Sequence, residues 1–130
     1  MSAPRFHMVL SRMNPTEGGD CTICALAMYL ESSYEDVVAA AAQVTKDAHR
    51  KGMWVSQIVA TARQLKRRLR QKRTWDPEEA FGILVLGECP IDEDHVVLLC
   101  EGKIYDMDGS VWDYDDYLKK KRYKAQSLLT

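Results

Sequence analysis

At 130 residues, with 46% apolar and 28% charged side chains and a formal net charge of −1, the chain has the size and composition of one soluble globular domain. Such a domain buries roughly two-thirds of the surface its unfolded chain exposes, so a sizeable core is available without disulfide staples. No run approaches the roughly 20 apolar residues that cross a bilayer, and the N-terminal apolar stretch is too short and interrupted for a signal-peptide core; a cytoplasmic setting with reduced cysteines at 21, 24, 89 and 100 is the expectation.

Taken in chain order, an apolar, alanine-rich run over 20–31 predicts a first helix, with Leu26 and Leu30 four apart on one face. Ser32-Ser33 followed by Glu35-Asp36 reads as a helix cap, Ser32 and Glu35 having capping-box spacing. The stretch 34–51 carries Val37, Val38, Ala41, Val44 and Ala48 near helical periodicity and predicts a second helix closed by Gly52. Ser56 is the expected cap of a third helix, in which Ile58, Ala62, Leu65 and Leu69 recur at four, three and four. Asp76 precedes Pro77 and ends that pattern. From there the period changes to short apolar runs of strand length, 81–87 and 95–101, bounded by Gly, Pro and Asp, followed by 103–109 and 110–118 as strand, turn and a last strand or helix. Helices first and strands second give an α+β domain of N-terminal helices packed on a small C-terminal antiparallel sheet, spanning 1–130 without repeats.

The chemistry concentrates at "GGDCTICALAM" (18–28). A helix N-terminus stabilises a thiolate, the reactive form of cysteine, and Gly18-Gly19 would leave backbone room for a substrate beside Cys21. A nucleophile also needs a base and a group to orient that base. Glu101-Gly102 is a two-residue turn signal that folds 95–100 back on 103–108. Cys100 then faces Lys103, and Asp106 becomes the diagonal same-face neighbour of His95, with Asp108 directly opposite as the reserve.

These blocks carry a resemblance. "DCTICALAM" (20–28) resembles the nucleophile motif of the papain-like cysteine peptidases that remove double-glycine leaders from bacteriocins, matching at Asp20, Cys21, Leu26, Ala27 and Met28. "HVVLLCEGKIYDMDG" (95–109) resembles the same family's histidine and aspartate block, and 51–69 a stretch with a Gly-Met turn and a helix. The resemblance implies a papain-like fold and a thiol protease with a catalytic triad of Cys21, His95 and Asp106, acting on a peptide or protein without cofactor or metal. Small size, without an appended transporter region, sets the chain apart from the family's transporter-fused members, and a stand-alone bacterial or phage protein is the expectation. Three positions depart from the family: Pro15 replaces its oxyanion glutamine, Thr22 its glycine and Met107 its proline. Asn14, one step from the glutamine position, is the candidate oxyanion donor; losing such a donor costs about 100- to 1000-fold in rate.

Blander roles stand beside these. Cys24, Cys89 and Cys100 fit as core or strand thiols, although the Cys21/Cys24 pair also fits redox chemistry, or zinc with Cys89 and His95 or Cys100. His7 and His49 read as solvated, and Met53, Trp54 and Trp112 as packing or edge-covering side chains near a groove. "RQLKRRLRQKR" (63–73) holds seven basic residues and no acid, whereas 88–94 and 105–116 are acidic. As the tail of the third helix it is a solvated face or a dock for the acidic strands. The alternative function is a papain-like binding module with an impaired site that engages a protein or, less favoured, nucleic acid through this basic helix.

Overall fold

The computed structural model describes residues 6–13, 19–87 and 95–130. It is an α+β structure of helices on an antiparallel sheet. Helix α1 (Cys21–Leu30) is followed by α2 (Tyr34–Ala42), α3 (Ala48–Lys51) and α4 (Val55–Gln64). Strands β1 (Gln71–Lys72), β2 (Phe81–Gly87), β3 (His95–Cys100), β4 (Lys103–Tyr105) and β5 (Val111–Asp113) come next, then α5 (Tyr114–Lys121) and β6 (Lys124–Leu129). The six-stranded sheet has the order β1-β6-β2-β3-β4-β5.

The strand sequences are nearly continuous apolar runs because both faces of the sheet are covered. Ile83, Val85, Val96, Leu98 and Leu129 pack with α1, α2 and α4 on one face. The alternate residues Leu84, Leu86, Val97, Leu99 and Leu128 pack with Tyr117 of α5 on the other. Helix α1 is buried nearly all round, from Thr22 to Met28, which is what its alanine-rich sequence permits.

Several local expectations shift. The cap of α2 is Ser33, accepting from the Asp36 N–H, one residue later than the Ser32/Glu35 box. The expected 34–51 helix is two helices: the chain leaves α2 at Gln43, and Asp47 takes a left-handed conformation before α3. Gly52 does close α3, as expected. The third helix starts at Val55 instead of at a Ser56 cap, and the Gln57 side chain accepts from the Trp54 N–H. That helix stops at Gln64, so of the basic segment 63–73 only Arg63 and Gln64 are helical. Lys66 turns left-handed, the Arg67 N–H returns to the Ala62 carbonyl, and Leu69 is buried. Leu69 thus anchors a turn instead of extending the helical stripe, and the chain continues as the edge strand β1, paired with β6.

The β3–β4 hairpin has the expected register, Cys100 opposite Lys103. Glu101 and Gly102 both have positive φ, the backbone that a two-residue turn matched to strand twist demands. No helix among the described residues is long and apolar enough to cross a membrane.

Candidate active site

His95 opens β3 at one end of the sheet, so groups from both layers reach it. Strand parity puts it on the face covered by α5, with Asp106 just beyond β4 on the same face. Its Nε2 lies 3.0 Å from Asp106 Oδ1, which makes Asp106 the diagonal partner that the hairpin register predicts. Asp108, the reserve, is exposed and accepts from Ser110 instead. Cys21, the first residue of α1, neighbours the His95 ring, and its side chain is among the groups that raise His95. With Nε2 on Asp106, Nδ1 is the ring nitrogen left to serve the sulfur.

Burial works against a charged imidazole. The Asp106 hydrogen bond, the Cys21 hydrogen bond and the charges of both outweigh it and push His95 up to about 10. Burial likewise disfavours the Asp106 carboxylate. Hydrogen bonds from His95, the Tyr117 hydroxyl and the Met107 N–H, with the imidazolium charge, hold it below the usual carboxylate range. The Tyr117 hydroxyl donates to Oδ2 at 2.8 Å and the Met107 N–H to Oδ1 at 2.7 Å. Met107 stands where the resembled family has a proline, and a proline has no N–H to give.

Tyr123 stacks on the His95 ring with centroids 5.8 Å apart, and Tyr117 stacks on Tyr123 in turn. Sequence reasoning missed both tyrosines. Tyr117 has no motif around it, and its position on the inward side of a short charged helix reads equally well as plain core.

The start of α1 is held from several sides. Asp20 is 2% exposed, and its carboxylate accepts from Ser11 Oγ at 2.6 Å, the Arg12 N–H at 2.9 Å and the Tyr34 hydroxyl at 2.9 Å. A buried carboxylate needs such donors, and here they strap residues 11–12 and α2 to the start of α1. The Ser11 N–H donates to the Met107 carbonyl, tying the same strap to the Asp106 turn. Gly19, at φ +111°, has a different duty from the one expected: a Cβ there would lie 2.0 Å from the Arg50 carbonyl oxygen. Its lack of a side chain serves close packing against the end of α3.

The remaining candidates divide. Asn14, Gly18 and Cys89 lie outside the described residues. Thr22 is buried, and its hydroxyl has no partner among the described residues. Cys24 is a core thiol, pushed up to about 12 by burial, with Asp20 and Cys21 adding to the effect. Cys21 and Cys24 are free thiols, and no cluster of metal-ligating side chains occurs among the described residues. Trp112 covers the sheet edge, packed edge-on against Tyr117. Met53 packs against the core, whereas Trp54 departs from the packing role and is 72% exposed at the start of α4. His7 is exposed and His49 half-buried on α3.

The arrangement sets a thiol, an imidazole and a carboxylate in series, the set of groups that nucleophilic and general-base chemistry requires. No protein-family model, curated protein or solved structure matches the chain.

Proposed function

We propose that the chain is a papain-like cysteine peptidase that hydrolyses an amide bond of a peptide or protein. The observation that carries this reading is the ordered contact of three side chains distant in sequence: Cys21 at a helix start, His95 beside it, and Asp106 at 3.0 Å on the far ring nitrogen. The raised His95 keeps an imidazolium beside the Cys21 sulfur at neutral pH, the partner that a reacting thiol needs.

The Cys21 sulfur attacks the carbonyl carbon, and the oxygen takes up negative charge. The Cys21 N–H, at the first turn of α1, points out of the helix end and supplies one donor to that oxygen. Collapse breaks the C–N bond as His95 gives its Nδ1 proton to the leaving amine, which leaves a thioester. Neutral His95 then takes a proton from water, the hydroxide attacks the thioester, and thiolate and carboxylic acid separate. Asp106 stays ionised throughout, fixing the ring by its Nε2–H and balancing its charge. Asn14 is the proposed second oxyanion donor.

Alkylation by iodoacetamide, followed by intact mass, tests the reading. Cys21 should react fast at pH 6, faster than a cysteine in a short unstructured peptide, and His95→Ala should slow it at least about tenfold. A wild-type rate equal to that of the free peptide overturns the proposal.

A further inference from the structure

The feature that amide hydrolysis leaves unused is the basic segment. Between residues 48 and 75 the chain carries nine Lys and Arg and not one Asp or Glu. The other nine basic residues stand against all nineteen acidic ones, so the rest of the chain has a formal charge of −10. A surface that is merely solvated intersperses both signs; this one separates them.

Seven of the nine lie in 63–73, and the fold presents them in a fixed array. Arg63, Lys66, Arg67, Arg68, Arg70, Lys72 and Arg73 are all exposed, and none makes a salt bridge among the described residues. Their backbone is anchored. Leu69 is buried, Arg70 exchanges two backbone hydrogen bonds with Thr130, and Gln71 Nε2 donates to Ser127 Oγ. Leu69 is buried while Arg68, Arg70 and Lys72 are exposed on either side of it, leading into the edge strand Gln71–Lys72. The array sits on the edge strand of the sheet, at the end away from the candidate active site. His95 pairs with Leu86, whereas Thr130 bonds the Phe81 carbonyl, about 17 Å back along β2.

From this we infer that the 63–73 edge is a binding surface for the phosphate backbone of a nucleic acid, separate from the thiol site. A protein partner would need apolar anchors at the centre of its footprint. Among the described residues the exposed large apolar side chains are Met8, Leu10, Trp54 and Val111, none of them in this segment. Recognition by charge alone suits a polyphosphate, where released counterions supply the driving force, and five of the seven cations are arginines, whose planar fork pairs with phosphate oxygens. No exposed aromatic accompanies them, so the surface follows the backbone without stacking on bases and should ignore sequence. Protection of the edge against strand pairing would be met by a single lysine, not by seven cations.

The test is fluorescence anisotropy of the full chain with a labelled 20-base-pair duplex DNA, in duplicate with a poly-glutamate peptide. If five cations contact phosphates, affinity should fall about 500-fold between 50 and 200 mM salt, and two duplexes of unrelated sequence should bind alike. The triple variant Arg67→Gln/Arg68→Gln/Arg70→Gln should flatten the slope of log K against log salt by about 2.7. Lys119→Gln/Lys120→Gln, on the other basic element α5, should leave it unchanged. Unaltered alkylation of Cys21 and an unchanged circular dichroism spectrum certify that the triple variant is folded. Absence of binding at 50 mM salt, a slope unaffected by the triple variant, loss through the α5 variant instead, or tighter binding of poly-glutamate than of DNA each overturns the inference. None of these outcomes bears on the peptidase reading, which the alkylation kinetics test separately.

Discussion

Tyr117→Phe isolates one hydrogen bond in the candidate triad. The ring is fully buried between Trp112 and Tyr123, and phenylalanine keeps both contacts while removing the hydroxyl that donates to Asp106 Oδ2 at 2.8 Å. Little cavity forms, so the loss is that of a bond to a charged acceptor, about 2 kcal/mol at pH 7. For a domain of this length that lowers the melting temperature by about 8 °C. The pH dependence carries the sharper signature. Asp106 is held below the usual carboxylate range, so its contribution is complete above about pH 4 and is lost as pH falls through the lower folded value. Removing the Tyr117 donor lets that value climb back toward the usual carboxylate range. Urea unfolding followed by circular dichroism should therefore show a gap of about 2 kcal/mol between wild type and variant at pH 7 that narrows at pH 3. A variant as stable as wild type at pH 7, or a gap of equal size at both pH values, refutes the reasoning. The second result would mean that the hydroxyl fills space without supporting the charge.

His95 has the opposite sign. Its raised value, about 10, means that the contact with Asp106 and Cys21 contributes fully below about pH 6.5 and is lost as pH rises through about 10. Urea midpoints of wild type should accordingly fall between pH 7 and 10.5 more steeply than those of His95→Asn. Gly19→Ala forces a methyl group to within 2.0 Å of a backbone oxygen at φ +111°, and should cost about 3 kcal/mol or more in thermal unfolding. Ser11→Ala takes one donor from the buried Asp20 carboxylate; a loss of about 2 kcal/mol in urea unfolding is expected, with the rate of Cys21 alkylation altered as well.

Much of this fold is legible in the sequence because it rests on local rules. The switch from helical to strand-length apolar runs gave the α+β layout, and Glu101-Gly102 set the β3–β4 register, from which the His95–Asp106 pairing follows by parity alone. The misread parts are those where tertiary contacts override local pattern. Leu65 and Leu69 extend a helical spacing past Gln64, yet Leu69 earns its burial from a turn against the sheet, and β1 exists only because Arg70–Lys72 finds the C-terminal strand to pair with. β6 itself, Lys124–Leu129, shows clean burial only over its last three residues, a weak signal in the sequence. The site's supporting tyrosines were invisible for the same reason: a Tyr on a helix face announces burial but not the partner of its hydroxyl.

The three candidate catalytic groups come from three separate elements, and what fixes them relative to one another is a closed circuit. Cys21 follows Asp20 in the chain; Asp20 accepts from Ser11; the Ser11 N–H donates to the Met107 carbonyl; the Met107 N–H donates to Asp106; Asp106 holds His95; and His95 meets Cys21. In an open chain of contacts, errors in position accumulate from one end to the other, whereas in a closed one no group can shift without disturbing neighbours on both sides. The circuit passes through the backbone N–H of Met107, the position at which the resembled family has a proline. Here that departure supplies the link that joins the start of α1, by way of the N-terminal strap, to the Asp106 carboxylate that holds His95.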